Sequence, residues 1–435
     1  TVLKGDIVFE TPNSPEDSQN SGKLINAYVN VNLTGEDSSW TGRSYQEYKI
    51  DGEYQKLVGL EGDASYHGNV KGFNLTVADG AKWVLTDSSF VNTLTLKDGG
   101  IIDATKAAEF NVGTWENGGV KSGFTVSGTG NKLTLGEKTE LSGTITMENG
   151  SELITPLDTA FKDIEKKSDV ITGGVGRLAI KGPDSGSATL TINDTFTLTT
   201  GAFTQFGEAY ESVALNLANA TLKPDQSEQA INIPTDVALG AITDKKDVNV
   251  NGKKLTISGN GKESSIGTLD FGDNSSAGEF AARNNTIVNV ETLTGNGRVS
   301  VGEREGAGAK MFINNLAMTN GRIFVDPYYG HSVLGINALD GDTLSTSIIA
   351  GDGALVTIGT ASEADARVAL AKVDGAASAK SVVFMKKAIN VDAGGSLYID
   401  PRATEQTEGT AQGVVVNQDG LLAVDQTAVG TSAVF

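Results

Sequence analysis

A short motif recurs along the chain: apolar, polar, apolar, then a turn. Leu75-Thr76-Val77 runs into Ala78-Asp79-Gly80, and Leu94-Thr95-Leu96 into Lys97-Asp98-Gly99-Gly100. Leu133-Thr134-Leu135 precedes Gly136, and Ile145-Thr146-Met147 precedes Glu148-Asn149-Gly150. Leu190-Thr191-Ile192, Leu215-Asn216-Leu217, Leu255-Thr256-Ile257, Ile287-Val288-Asn289-Val290, Ile313-Asn314 and Ile323-Phe324-Val325 continue the series. Alternation at period two gives each segment one buried face, and each is too short for a helix. The Asp-Gly and Asn-Gly pairs suit corners that need positive φ. Composition agrees: 54 of 435 residues are Gly and only 8 are Pro, which disfavours a helical bundle. With 38% hydrophobic residues the chain is also too apolar for disorder.

The spacing narrows the architecture. Leu75 and Leu94 are 19 residues apart, Leu133 and Ile145 are 12 apart, and Ile313 and Ile323 are 10 apart. A coil of about 20 residues accommodates all three, with the shorter steps moving to the next face of the same coil, as in a β-solenoid. An antiparallel sandwich would also place turns every 8–12 residues, but would not predict a self-similar ladder with so few aromatics. Stacked at ~4.8 Å per rung, the whole chain would form a rod of roughly 90–100 Å.

Three stretches interrupt the pattern. Leu157, Phe161 and Ile164 lie at helical spacing within 155–170, predicting a short helix over Leu157–Lys167 in a loop insertion. Ser362-Glu363-Ala364-Asp365 can cap a second helix over Glu363–Val373. Residues 11–22 are polar and contain Pro, as a loop does. Beyond Tyr329 the triplets lose regularity. The sequence therefore divides into 1–326, a β-helix rod with an N-terminal cap, and 327–435, a continuation of the solenoid or a β-rich end.

Charge and cysteine content exclude several chemistries. The net charge of −20 would repel phosphate backbones, so no nucleic-acid partner is expected. It would equally be repelled by anionic lipid. No run approaches 18 apolar residues, so no helical membrane insertion is expected from this segment. Thr1-Val2-Leu3-Lys4 reads as a mature or excised start. Without Cys there are no disulfides, thiolate zinc sites or cysteine nucleophiles. No cofactor is expected. Asp340-Gly341-Asp342 is an acidic turn, read as solvated with calcium as the alternative.

Ser38-Ser39-Trp40-Thr41-Gly42 resembles the short serine–tryptophan–glycine signature of passenger domains in bacterial type V autotransporters, the pertactin and AIDA-type adhesin group. Gly80-Ala81-Lys82-Trp83 with Val91-Asn92-Thr93-Leu94-Thr95-Leu96 is similar to their rung pairs, and Leu293-Thr294-Gly295-Asn296-Gly297 to a recurrent turn. The resemblance covers roughly 30–325. It implies a right-handed parallel β-helix exported across the outer membrane by a C-terminal β-barrel, and present at the bacterial surface or secreted. The long amphipathic strands of a barrel are missing here, so the resemblance implies a passenger or part of one.

On this reading the chain is an adhesin or self-associating scaffold that binds through the side of its rod, not an enzyme. Its partners would be a host or bacterial surface protein or glycan, or another copy of itself. A structural fibre or surface-layer subunit is the alternative. A polysaccharide-degrading enzyme comes third, since Asp and Glu are abundant but the arginines are scattered, with Arg298 and Arg304 best read as salt-bridged surface. Some passengers are serine proteases, and Gly182-Pro183-Asp184-Ser185-Gly186 invites that comparison. Pro183 breaks the motif, and His67 would have to serve as base because His331 lies downstream. An ordinary turn accounts for the segment. The aromatics Trp40, Trp83, Trp115, Tyr328 and Tyr329 are candidates either to contact a ligand or to cap the solenoid.

Overall fold

A computed structural model describes residues 1–11, 29–50, 53–57, 73–116, 119–161, 171, 178–210, 212–273, 278–302, 307–325, 332–350, 354–361, 382–385, 389–391, 396–399, 414–416 and 421–424. They form a parallel β-helix, organised in two compact units. The first comprises Thr1–Glu165, Gly173–Asp194 and Glu208–Asn216, and the second Lys166–Thr172, Thr195–Gly207 and Leu217–Phe435.

In the first unit the triplets become successive faces of one coil. Strand Phe73–Ala78 is followed by Lys82–Val84 and Ser89–Val91, each in a different sheet. Thr93–Lys97 then returns to the first sheet, parallel to Phe73–Ala78, with Leu94 on Leu75 and Leu96 on Val77. The next circuit sets Phe124 on Leu94, and the one after sets Ile145 on Phe124. Leu133 and Ile145 fall in different sheets, Ile145 on the strand that begins the next circuit. Residues of like character therefore stack along the axis, and the core is a set of apolar columns. The Asp and Asn of the corners take positive φ, 55° at Asp79 and 50° at Asp98, which these residues tolerate better than most. Coil length varies through insertions. One is the antiparallel hairpin of Glu109–Glu116 with Gly119–Ser122.

The second unit repeats the scheme with longer strands. Leu255, Phe280, Val299, Ile323 and Ile348 form one inward column, and Val288, Met311, Leu334 and Val356 another. All nine are fully buried. The ladder continues in register through strands Ser396–Ile399 and Leu421–Val424, with Leu397 opposite Ile348 and Leu422 opposite Leu397. The sheet thus runs past the boundary expected near residue 327, which falls inside the second unit. Leu75, Leu94, Leu133, Leu190 and Leu255 are all on strands and at most 2% exposed.

The helices differ from expectation. Among the described residues of the first insertion, Leu157–Ala160 is helical and Phe161 is extended; residues 162–167 of the predicted helix lie outside the described residues. The predicted helix over Glu363–Val373 lies outside the described residues. A ten-residue helix, Thr200–Ala209, was not anticipated. Its start is capped by Thr199, whose Oγ1 accepts a hydrogen bond from Ala202 N–H at 3.3 Å. Ala202, Phe203 and Phe206 are fully buried. The i, i+3 placement of Phe203 and Phe206 was available in the sequence, but the preceding Thr-rich strand Thr197–Thr199 and Gly201 masked it.

Candidate functional site

Trp40 and Trp83 occupy equivalent positions on neighbouring coils, in register on strands Ser39–Thr41 and Lys82–Val84. Their rings stack at 4.8 Å with an interplanar angle of 2°, and both are fully buried. Of the two readings, ligand contact or cap, the geometry shows rings within the core: each offers its faces to the column, not to solvent. Each indole N–H is satisfied one coil away, Trp40 Nε1 donating to Gly5 O at 2.8 Å and Trp83 Nε1 to Gly42 O at 3.1 Å. This explains the Trp-Thr-Gly spacing. A Cβ at Gly42 would stand 2.0 Å from Gly5 O and 2.8 Å from Trp40 Nε1, so only Gly fits. Leu3, 38% exposed, occupies the rung beyond Trp40. Trp115 lies on strand Glu109–Glu116 opposite Val120. Tyr328 and Tyr329 lie outside the described residues, as do His67 and His331.

Ser185 sits in an exposed bend. Its neighbours are those of a turn: Asp184 pairs with Lys181 at 3.4 Å, and Ser187 N–H donates to Asn149 on the adjacent coil at 3.0 Å. Asp340–Asp342 forms a single 3₁₀ turn. Among the described residues no three His, Asp or Glu gather as metal ligands would.

A shallow recess lies on the outer face of the second unit. Strands Ile287–Gly295, Lys310–Met318 and Val333–Leu339 each turn a corner midway, where two successive residues point outward. Glu291, Asn314 and Asn337 occupy that corner. Asn337 Nδ2 donates to Asn314 Oδ1 at 2.8 Å, and Asn314 Nδ2 to Glu291 Oε1 at 2.6 Å, each across 23 residues. Lys245 completes the row, donating to Glu291 Oε2 at 2.9 Å across 46 residues. That reach spans two coils because the intervening corner is Gly267. Its missing side chain leaves room for Asp247, whose Oδ1 would lie 2.3 Å from a Cβ there. The hydrogen bonds from Lys245 and Asn314, with the Lys245 charge, hold the Glu291 carboxyl below its ordinary range.

Beside this row, Phe312 points outward yet is only 5% exposed. It packs with Val333 and Leu355, against Ile287 and Ala361. Residues 359–361 fold back over this face, Gly359 and Thr360 both donating their N–H to Ile336 O, at 2.8 and 3.1 Å. Between the apolar wall and the polar row lies a recess of about 180 Å³, floored by Ser265 and Asn289. It offers hydrogen-bond donors and acceptors beside an aromatic wall, which suits a neutral, hydroxyl- or amide-bearing ligand better than a charged one. None of these residues was singled out as a site from the sequence. The 23-residue step through Glu291, Asn314 and Asn337 was the available signal.

Comparison of the chain with family models, with curated protein sequences and with solved structures finds no match.

Proposed function

We propose that this chain is a surface-exposed passenger of the autotransporter type, exported across the bacterial outer membrane and acting as an adhesin or self-associating scaffold. The contact surface is the outer face of its sheets. The observation that carries the reading is the outward row Lys245–Glu291–Asn314–Asn337 beside the Phe312 wall. Outward side chains on a β-helix need not be in register with one another to hold the fold, since the inward columns do that. Here they are ordered into a continuous hydrogen-bonding strip flanking a recess. The partner is a host or bacterial surface protein or glycan, or a second copy.

Purified chain on a glycan array, and chain-coated beads scored for aggregation, test this. Wild type should bind a defined set of glycans or aggregate beads, and Asn289→Ala/Asn314→Ala should weaken the response by about tenfold or more, as loss of one or two good hydrogen bonds does. Absence of binding and aggregation in wild type would overturn the adhesin reading. Ordered filaments forming from the chain alone would replace it with the fibre or surface-layer reading.

A further inference from the structure

The outer face of the other large sheet in the second unit carries a charge arrangement at odds with the rest of the chain. Lys254, Glu279, Arg298 and Arg322 follow one another in register on successive strands. Lys254 Nζ pairs with Glu279 Oε1 at 3.5 Å. Arg298 and Arg322 are both exposed and stand side by side, and among the described residues neither guanidinium has a carboxylate partner. The expected salt-bridged surface thus does not extend to Arg298, and Arg304 lies outside the described residues. Like charges directly opposite each other on neighbouring strands repel and destabilise a sheet. In a chain with 54 acidic against 34 basic residues, two adjacent arginines without an ion pair stand out, the neighbouring Glu279 being engaged by Lys254. The Arg298 guanidinium lies over the Phe324 ring, 5.4 Å from its centroid. Phe324 and Ile349, neighbours in register and half-buried, extend an apolar strip beside the pair.

We propose that Arg298 and Arg322, with Phe324, form a binding site for an oxyanion carried on a polysaccharide, a uronate carboxylate or a sulfate ester. Two guanidinium groups on residues one rung apart can each offer N–H donors to a planar or tetrahedral oxyanion. The Phe324 and Ile349 strip lies where the C–H face of a sugar ring would rest. Rungs ~4.8 Å apart step at about the length of one pyranose. The net charge of −20 opposes approach of any polyanion, but that field is screened over ~8 Å at physiological salt, leaving the local pair to act at contact. This site is separate from the Phe312 recess, and binding by purified protein stands apart from cell adhesion.

The test is binding of purified chain to immobilised polygalacturonate, dextran sulfate and neutral dextran at physiological salt. Binding to polygalacturonate but not neutral dextran, weakened about tenfold or more by Arg298→Gln/Arg322→Gln and not restored by Arg298→Lys/Arg322→Lys, assigns a carboxylate ligand. The same pattern confined to dextran sulfate assigns a sulfate ligand. Both side chains are exposed, so unchanged thermal unfolding of the variants separates lost binding from lost fold, with Arg298→Gln alone as the milder variant. No binding to either anion, equal binding by wild type and the Gln pair, or full binding by the Lys pair would overturn the assignment.

Discussion

Tyr210 shows how strongly single residues are constrained in so thin a core. It is 1% exposed, and burial pushes its phenol well above the ordinary tyrosine range, the nearby Leu178 backbone offsetting only part of the shift. A group whose folded pKa is raised contributes stability in full below its unfolded value, about 10, and loses it as pH climbs beyond. Tyr210→Phe should therefore shift the onset of alkaline unfolding to higher pH than wild type, read by circular dichroism along a base titration. An unchanged onset would mean that other groups control the alkaline limit. Glu291 has the opposite sign. Its depressed folded pKa contributes stability above the ordinary carboxylate range and loses it as pH falls through the depressed value. Its exposure keeps that contribution small. The tryptophans carry the same lesson. Counted in the sequence, Trp40 and Trp83 are candidates to contact a ligand or to cap the solenoid. In the fold they are stacked rungs, because strands in register bring like residues onto one column.

At the scale of the element, a strand of three to five residues could not persist alone; its stability comes from the rungs on either side. Leu94 lies between Leu75 and Phe124 in one column and is fully buried. Truncation to Ala leaves a cavity that parallel neighbours, tied by their own ladders, cannot collapse to fill. Leu94→Ala should cost ~2–5 kcal/mol, lowering the urea midpoint of the first unit, followed by the fluorescence of the buried Trp40–Trp83 stack. A shift below about 1 kcal/mol would show the column to be loosely packed. Helix Thr200–Ala209 marks where local reading fell short. Its apolar positions are few, and it is stabilised by burial of Phe203 and Phe206 more than by propensity.

For the whole molecule, the governing quantity is the net charge of −20 on a chain with few large exposed apolar side chains among the described residues. Two copies repel at long range, and added salt screens that repulsion over ~8 Å at physiological strength. The chain should be monomeric at low ionic strength and associate weakly, if at all, as salt rises, measured by sedimentation across ionic strength. A salt-resistant oligomer at low ionic strength would point instead to a packed apolar interface and to a fibre or layer.

The period-two triplets and their steps of 10 to 20 residues determined by themselves that the chain coils, and which leucines face inward. Those properties follow from backbone geometry and burial, which act within a few residues. Coil-to-coil register was decided only by the tertiary structure. A residue's neighbour above or below lies 19 residues away at Asn74–Thr93 and 23 at Asn314–Asn337, and insertions change the step unpredictably. For that reason the Trp40–Trp83 stack, the row from Lys245 to Asn337 and the adjacency of Arg298 and Arg322 emerged only with the fold. Each depends on a hydrogen-bonded rung bringing together residues that no local pattern connects.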